Sequence, residues 1–123
     1  MTGENIMDVK ALQKKIIQFR DARDWKQFHN PKDMAISLVL EAAEVMEHFQ
    51  WRNKDEMEKY VIGKKDEIGE ELADVLYWIL LISHDLKIDI LGVLEKKMNV
   101  NEAKYPVKQV KGTHKKYTEL NQK

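Results

Sequence analysis

Four acidic residues stand in two like-spaced pairs: Glu41 and Glu44 in "EAAE", and Glu71 and Asp74 in "ELAD". On a helix, acids spaced i and i+3 share one side and lie a turn apart. Both pairs are embedded in apolar sequence, "EAAEVMEHF" and "EELADVLYWILL". A carboxylate at the margin of an apolar face is costly unless it is paired, hydrogen-bonded or bound to a cation. Hard oxygen ligands of this kind suit Mg²⁺ or Mn²⁺. An isolated E-x-x-E is ordinarily a solvated face, so the metal reading depends on whether the two pairs meet.

The elements that must bring them together are helical. Ile6, Val9, Leu12, Ile16 and Phe19 recur at three and four residues and mark a first helix over about 6–23. Asn30 as N-cap followed by Pro31 starts a second, which runs to about Gln50. "WRNKDEMEKYVIG" is a polar connector with a short helix begun by an Asn53/Glu56 capping box and ended by Gly63. A third helix covers about 64–86, and Asp89 caps a fourth that stops before Pro106. On a helical wheel Met34, Ala35, Leu38, Val39, Ala42, Val45, Met46 and Phe49 form the apolar arc of the second helix. Ile68, Leu72, Val75, Leu76, Ile79, Ile82 and Leu86 form that of the third. Glu41 on one wheel matches Glu71 on the other, and Glu44 matches Asp74. Antiparallel packing would converge all four. Glu67 shares the acid stripe, whereas Glu70 faces away and is expected to be solvated.

The architecture expected is an all-α four-helix bundle, one domain over residues 1–123. Its helical core covers about 6–105, and a polar, basic arm follows over 106–123. A hydrophobic share of 43% fits a globular chain, and 21 basic against 21 acidic residues argue against a general nucleic-acid binder. With no cysteine there is no disulfide, zinc–thiolate site or thiol nucleophile. The start "MTGENIMDVK" lacks a signal-peptide pattern, and no apolar run reaches membrane-spanning length, so a cytoplasmic protein is expected. Val39, Leu40, Leu76, Leu80 and Leu81 spread beyond one seam, which favours an oligomer.

"EAAEVMEHFQW" followed by "EELADVLYW" resembles the MazG-like, all-α nucleoside triphosphate pyrophosphohydrolases, whose signature is ExxE, a variable spacer and ExxD. "FRDARDWKQFHNPKDMAISLVLEAAEVMEHFQW", "KKMNVNEAKYPV" and "GTHKKYTEL" resemble the dCTP-hydrolysing branch of that family. The resemblance implies Mg²⁺-dependent hydrolysis of a (deoxy)nucleoside triphosphate to monophosphate and pyrophosphate, with Mn²⁺ a possible substitute. It implies that Glu41, Glu44, Glu71 and Asp74 hold the metal or orient its water. It also implies a homotetramer, a dimer of dimers, with sites at subunit interfaces.

A nucleotide enzyme needs a surface for the base and cations for the phosphates. Trp25, Phe28 and His29 crowd "DWKQFH", where rings can stack on a base or simply staple the corner between two helices. The resemblance assigns Trp25, His29 and Trp51 to the pocket. Trp78, on the acid stripe, is a candidate wall where the branch often has Tyr, which leaves the base preference open. Lys97, Asn101, Lys104 and Tyr105 share a face of the fourth helix and can contact the triphosphate, although a solvated lysine face is the plain alternative. "HKKYTEL" is either a flap over a site or a solvated tail. His48 lies near the acid stripe and His84 away from it, and neither is needed. The competing functions are dUTP or broader hydrolysis on the same fold, and a non-catalytic metal- or nucleotide-binding module. A ferritin-like di-metal bundle is disfavoured, because His48 and His84 follow Val45 and Leu81 rather than a glutamate by three residues.

Overall fold

The computed structural model describes residues 7–114 and 118, and all regular structure among them is helical. Helix α1 spans Val9–Ala22, α2 Pro31–Glu47, α3 Lys54–Asp85, α4 Ile90–Lys104 and α5 Val107–Val110, with a 3₁₀ turn at Lys26–Phe28. The starts follow from local chemistry. Asn30 Oδ1 accepts the Asp33 N–H at 2.9 Å ahead of Pro31. The Asn53/Glu56 capping box forms in both directions. Asp89 caps α4 by accepting the Gly92 N–H at 3.3 Å. A Cβ at Gly92 would lie 2.5 Å from Asp89 Oδ2 and would push the capping carboxylate aside.

Two boundaries differ from expectation. The short helix of the connector does not end at Gly63 but continues into the third helix, interrupted at Lys64 (φ −122°, ψ 15°). Gly63 is a weak helix former but helix resumes at once, so the chain kinks where a stop was expected. The basic arm contains the short helix α5. Ile6 and most of "HKKYTEL" fall outside the described residues.

The chain divides into two compact units, one ending at Lys87 and one beginning at Ile88. Within the first, α3 packs against both α2 and α1. Contacts between α2 and α3 run in opposite chain directions, from His48 with Glu71 to His29, just before α2, with Trp78. The pairing is therefore antiparallel, as expected. Contacts of α1 with α3 advance together: Gln13 Nε2 donates to the Leu80 carbonyl at 2.9 Å, and Arg20 meets Asp85. The innermost apolar side chains are Met34, Leu80 and Leu81. Leu80 and Leu81 lie off the expected seam yet are buried, whereas Val39, Met46, Leu72 and Leu76 of the expected apolar arcs are exposed. The reason is that α3 serves two neighbours, so its inner face is turned from the one that a single helix pair would select. The second unit carries α4 and α5, and the Tyr105 N–H closes α4 on the Asn101 carbonyl at 2.8 Å.

Arg20 is fully buried at the end of α1, and its guanidinium forks onto the Asp85 carboxylate at 2.7 and 2.9 Å. These hydrogen bonds and the adjacent charge hold Asp85 below the usual carboxylate range. A depressed folded-state value means that this contribution is complete above the unfolded carboxylate value and is lost as pH falls through the folded one. Arg20→Met, which strands the Asp85 charge, should cost about 3–5 kcal/mol in urea unfolding at neutral pH. Adding Asp85→Leu should recover most of that loss and flatten the acid limb of the pH profile. A single variant as stable as the parent would refute this account.

Candidate active site

Glu41 and Glu44 ride on α2 and Glu71 and Asp74 on the part of α3 beyond the kink. Glu41 and Glu71 are half-buried, while Glu44 and Asp74 are exposed. Glu41 Oε2 is buried without a hydrogen-bond partner. The Glu41 carboxyl is held above the ordinary carboxylate value, first by burial, then by the charges of Glu44 and Asp74, hydrogen bonding to Glu44, and the charge of Glu71. All three other acids thus act on one side chain. Among the described residues no three His, Asp or Glu side chains already form a ligating group. Instead the acids are tied off. Burial and the neighbouring acids favour the protonated form of Glu41, and Glu71 meets His48. An orphaned buried oxygen whose carboxyl is crowded by the charges of Glu44, Asp74 and Glu71 fits a divalent cation, which would offset that crowding.

A cleft of about 240 Å³ opens beside the acids, lined by Glu44, Glu47, His48, Arg52, Tyr60 and Glu71. The sequence assigns His48 no needed role, yet its Nε2 meets Glu71 Oε2 and its Nδ1 lies 2.6 Å from the Tyr60 hydroxyl. One signal was available: His48 follows Glu44 by four residues and so continues the acid stripe. Tyr60 and Arg52 carried no such signal, because they sit before the kink.

Toward the other end of the site, His29 packs edge-on against Trp78, with ring centroids 5.4 Å apart, and Trp78 packs against Tyr77 at 5.3 Å. Burial and the Arg20 charge lower the His29 pKa and favour the neutral ring. Its Nδ1 faces Arg20 at 3.5 Å, which assigns the proton to Nε2 and leaves that atom as a donor. Trp25 packs on Phe19 at 5.6 Å, the corner contact of the staple reading, and Phe28 is exposed. Trp51 is 84% exposed. Glu67 lies 3.4 Å from Lys64, and Glu70 is exposed. Lys97, Asn101, Lys104 and Tyr105 lie along the end of α4 in the second unit.

If anion crowding is what makes Glu41 costly, Glu41→Gln should stabilise the metal-free protein by about 1 kcal/mol, visible as a raised thermal midpoint in EDTA. A lowered midpoint would mean that the carboxylate packs favourably as it stands.

Comparison with known proteins bears on this arrangement. Residues 36–120 match the MazG-like family. Human dCTP pyrophosphatase 1 is 32% identical over 105 residues, and the mouse protein of that name 34% identical over 105. Those alignments cover 84% of this chain and 62% of the relatives, so the chain spans less than two thirds of their length. A pyrophosphatase from Archaeoglobus fulgidus of known structure superposes with a TM-score of 0.76 at 36% identity, covering 86% of this chain and 99% of that one. The all-α fold, the paired E-x-x-E and E-x-x-D acids and these matches agree: the chain belongs to the MazG-like family.

Proposed function

We propose that this chain is a nucleoside triphosphate pyrophosphohydrolase that converts a dNTP to the monophosphate and pyrophosphate with Mg²⁺. dCTP or a modified cytosine nucleotide is the favoured substrate, and the cytoplasmic nucleotide pool the setting. The observation that supports the reading is the buried, unpartnered oxygen of Glu41, a carboxyl whose pKa is pushed up by burial and by the charges of Glu44, Asp74 and Glu71. The four carboxylates would hold the ion, with Mn²⁺ a possible substitute. Bound there, the metal would supply phosphate charge neutralisation and an acidified water for in-line attack. The rest falls to the chain's own groups. His29, neutral and with Nε2–H available, is suited to donate to a base edge or sugar, and Trp78 beside it offers an apolar wall. Trp25 and Trp51 are the further aromatic candidates for the base. Lys97, Asn101, Lys104 and Tyr105 are the candidates for the triphosphate. The names of the human and mouse relatives favour cytosine, while Trp78 is the residue on which base preference is most open.

The exposed apolar side chains Ile36, Val39 and Leu40 on α2, with Leu72 and Leu76 on α3, support a homo-oligomer, with a dimer of dimers as the proposed state. No helix among the described residues is long and apolar enough to cross a membrane.

The deciding experiment incubates purified protein with Mg²⁺ and a panel of dNTPs and NTPs, and resolves nucleotide and phosphate products separately. Monophosphate plus pyrophosphate, lost in EDTA, is the expected result; release of orthophosphate alone would mean a different hydrolysis, and no turnover on any of them would leave a modified-nucleotide substrate or a binding module. Glu41→Gln and Asp74→Asn should each reduce kcat by at least about a hundredfold while keeping the helical circular dichroism. Trp25→Ala should raise KM several-fold at unchanged thermal midpoint. A lowered midpoint with normal KM would instead assign Trp25 to the α1–α2 corner.

A further inference from the structure

One of the four carboxylates, Glu71, is joined to a polar cluster built around His48. The His48 side chain is 9% exposed and that of its partner Glu71 27%. Nε2 of His48 and Oε2 of Glu71 are in contact as a buried pair, and neither has another polar partner. On the other side of the ring, Nδ1 lies 2.6 Å from the Tyr60 hydroxyl. Arg52 closes the cluster: its guanidinium stacks 3.6 Å over the Tyr60 ring and donates to the His48 carbonyl.

We infer that Tyr60 and His48 form a positioning relay that presents Glu71 to the divalent cation. The inference rests on the metal-binding reading above and deepens it. A hydroxyl donated to Nδ1 leaves the imidazole proton on Nε2, and Nε2–H is then donated to Glu71 Oε2. That commits one carboxylate oxygen to the protein, fixes the rotamer, and leaves Oε1 as the oxygen still unclaimed by the relay. Partners of this kind orient metal ligands, and their loss typically weakens metal affinity about 10–100-fold.

The backbone is shaped for this contact. On an unbroken helix Tyr60 and Glu71 would stand about 16 Å apart along the axis, too far for one imidazole to touch both. The interruption at Lys64 falls between them. Tyr60 therefore belongs to one rod of α3 and Glu71 to the other, and His48 bridges the bend from α2.

The test is Mn²⁺ titration of the nucleotide-free full chain, with free ion read by electron paramagnetic resonance and urea unfolding run on every variant. His48→Ala should weaken Mn²⁺ binding about tenfold or more. Tyr60→Phe, which keeps the ring beneath Arg52, should weaken it several-fold. His48→Gln should restore most of the affinity, because its amide nitrogen takes the place of Nε2. A purely structural cluster would lower unfolding stability in these variants without moving Mn²⁺ affinity, and that result overturns the relay. So does weakened binding in His48→Ala with none in Tyr60→Phe. Should His48→Ala fail to fold, Tyr60→Phe and His48→Gln decide the matter. Glu71→Gln separates the two levels. Lost Mn²⁺ binding there beside normal binding in the relay variants removes the relay alone; unchanged binding in Glu71→Gln removes the metal site as well.

Discussion

A guanidinium with no access to water must find its counter-charge inside the protein, and Arg20 finds it in Asp85. That fork joins the end of α1 to the end of α3. Its geometry also reaches the site, since the same Arg20 nitrogen that binds Asp85 lies against His29 Nδ1. His29 in turn meets Trp78 one turn beyond Asp74. A single buried ion pair thus fixes the end of a helix, the protonation preference of a ring and the position of the aromatic wall. Replacing such a pair with apolar groups is often harmless to stability, so its value here lies in what it orients.

The acid cluster has the opposite character. Arg20 and Asp85 lower one another's cost, whereas Glu41, Glu44, Glu71 and Asp74 raise it. Burial, and then the charges of Glu44, Asp74 and Glu71, push the Glu41 carboxyl toward its protonated form. Protein framework and anion cluster therefore divide the molecule between a satisfied end and an unsatisfied middle. Unsatisfied groups on rigid helices are what a ligand with compensating charge can exploit, because the arrangement is already made when it arrives.

Much of this was legible from local rules. The Asn30–Pro31 start, the Asn53/Glu56 box and the Asp89 cap each depend on residues within four of one another, and all form. Matching Glu41 with Glu71 and Glu44 with Asp74 required only the helical period and an antiparallel pair. What escaped was set by partners distant in sequence. Arg20 and Asp85 carry no mutual signal, and Leu80 and Leu81 look peripheral until α1 is known to cover α3. Tyr60 could not be assigned to the acid face, because the sequence places it in a separate connector helix ended by Gly63, whereas the helix continues through a kink at Lys64.

That interruption also governs which changes of length the chain can absorb. In a continuous helix one inserted residue rotates everything downstream by about 100°, which would swing both acids of the second pair away from the first. With the rod broken at Lys64, a residue gained or lost in the connector can be taken up at the break, leaving Glu71 and Asp74 in phase with α2. The spacing between the two acid pairs can thereby change without putting them out of phase, while the spacing within each pair cannot.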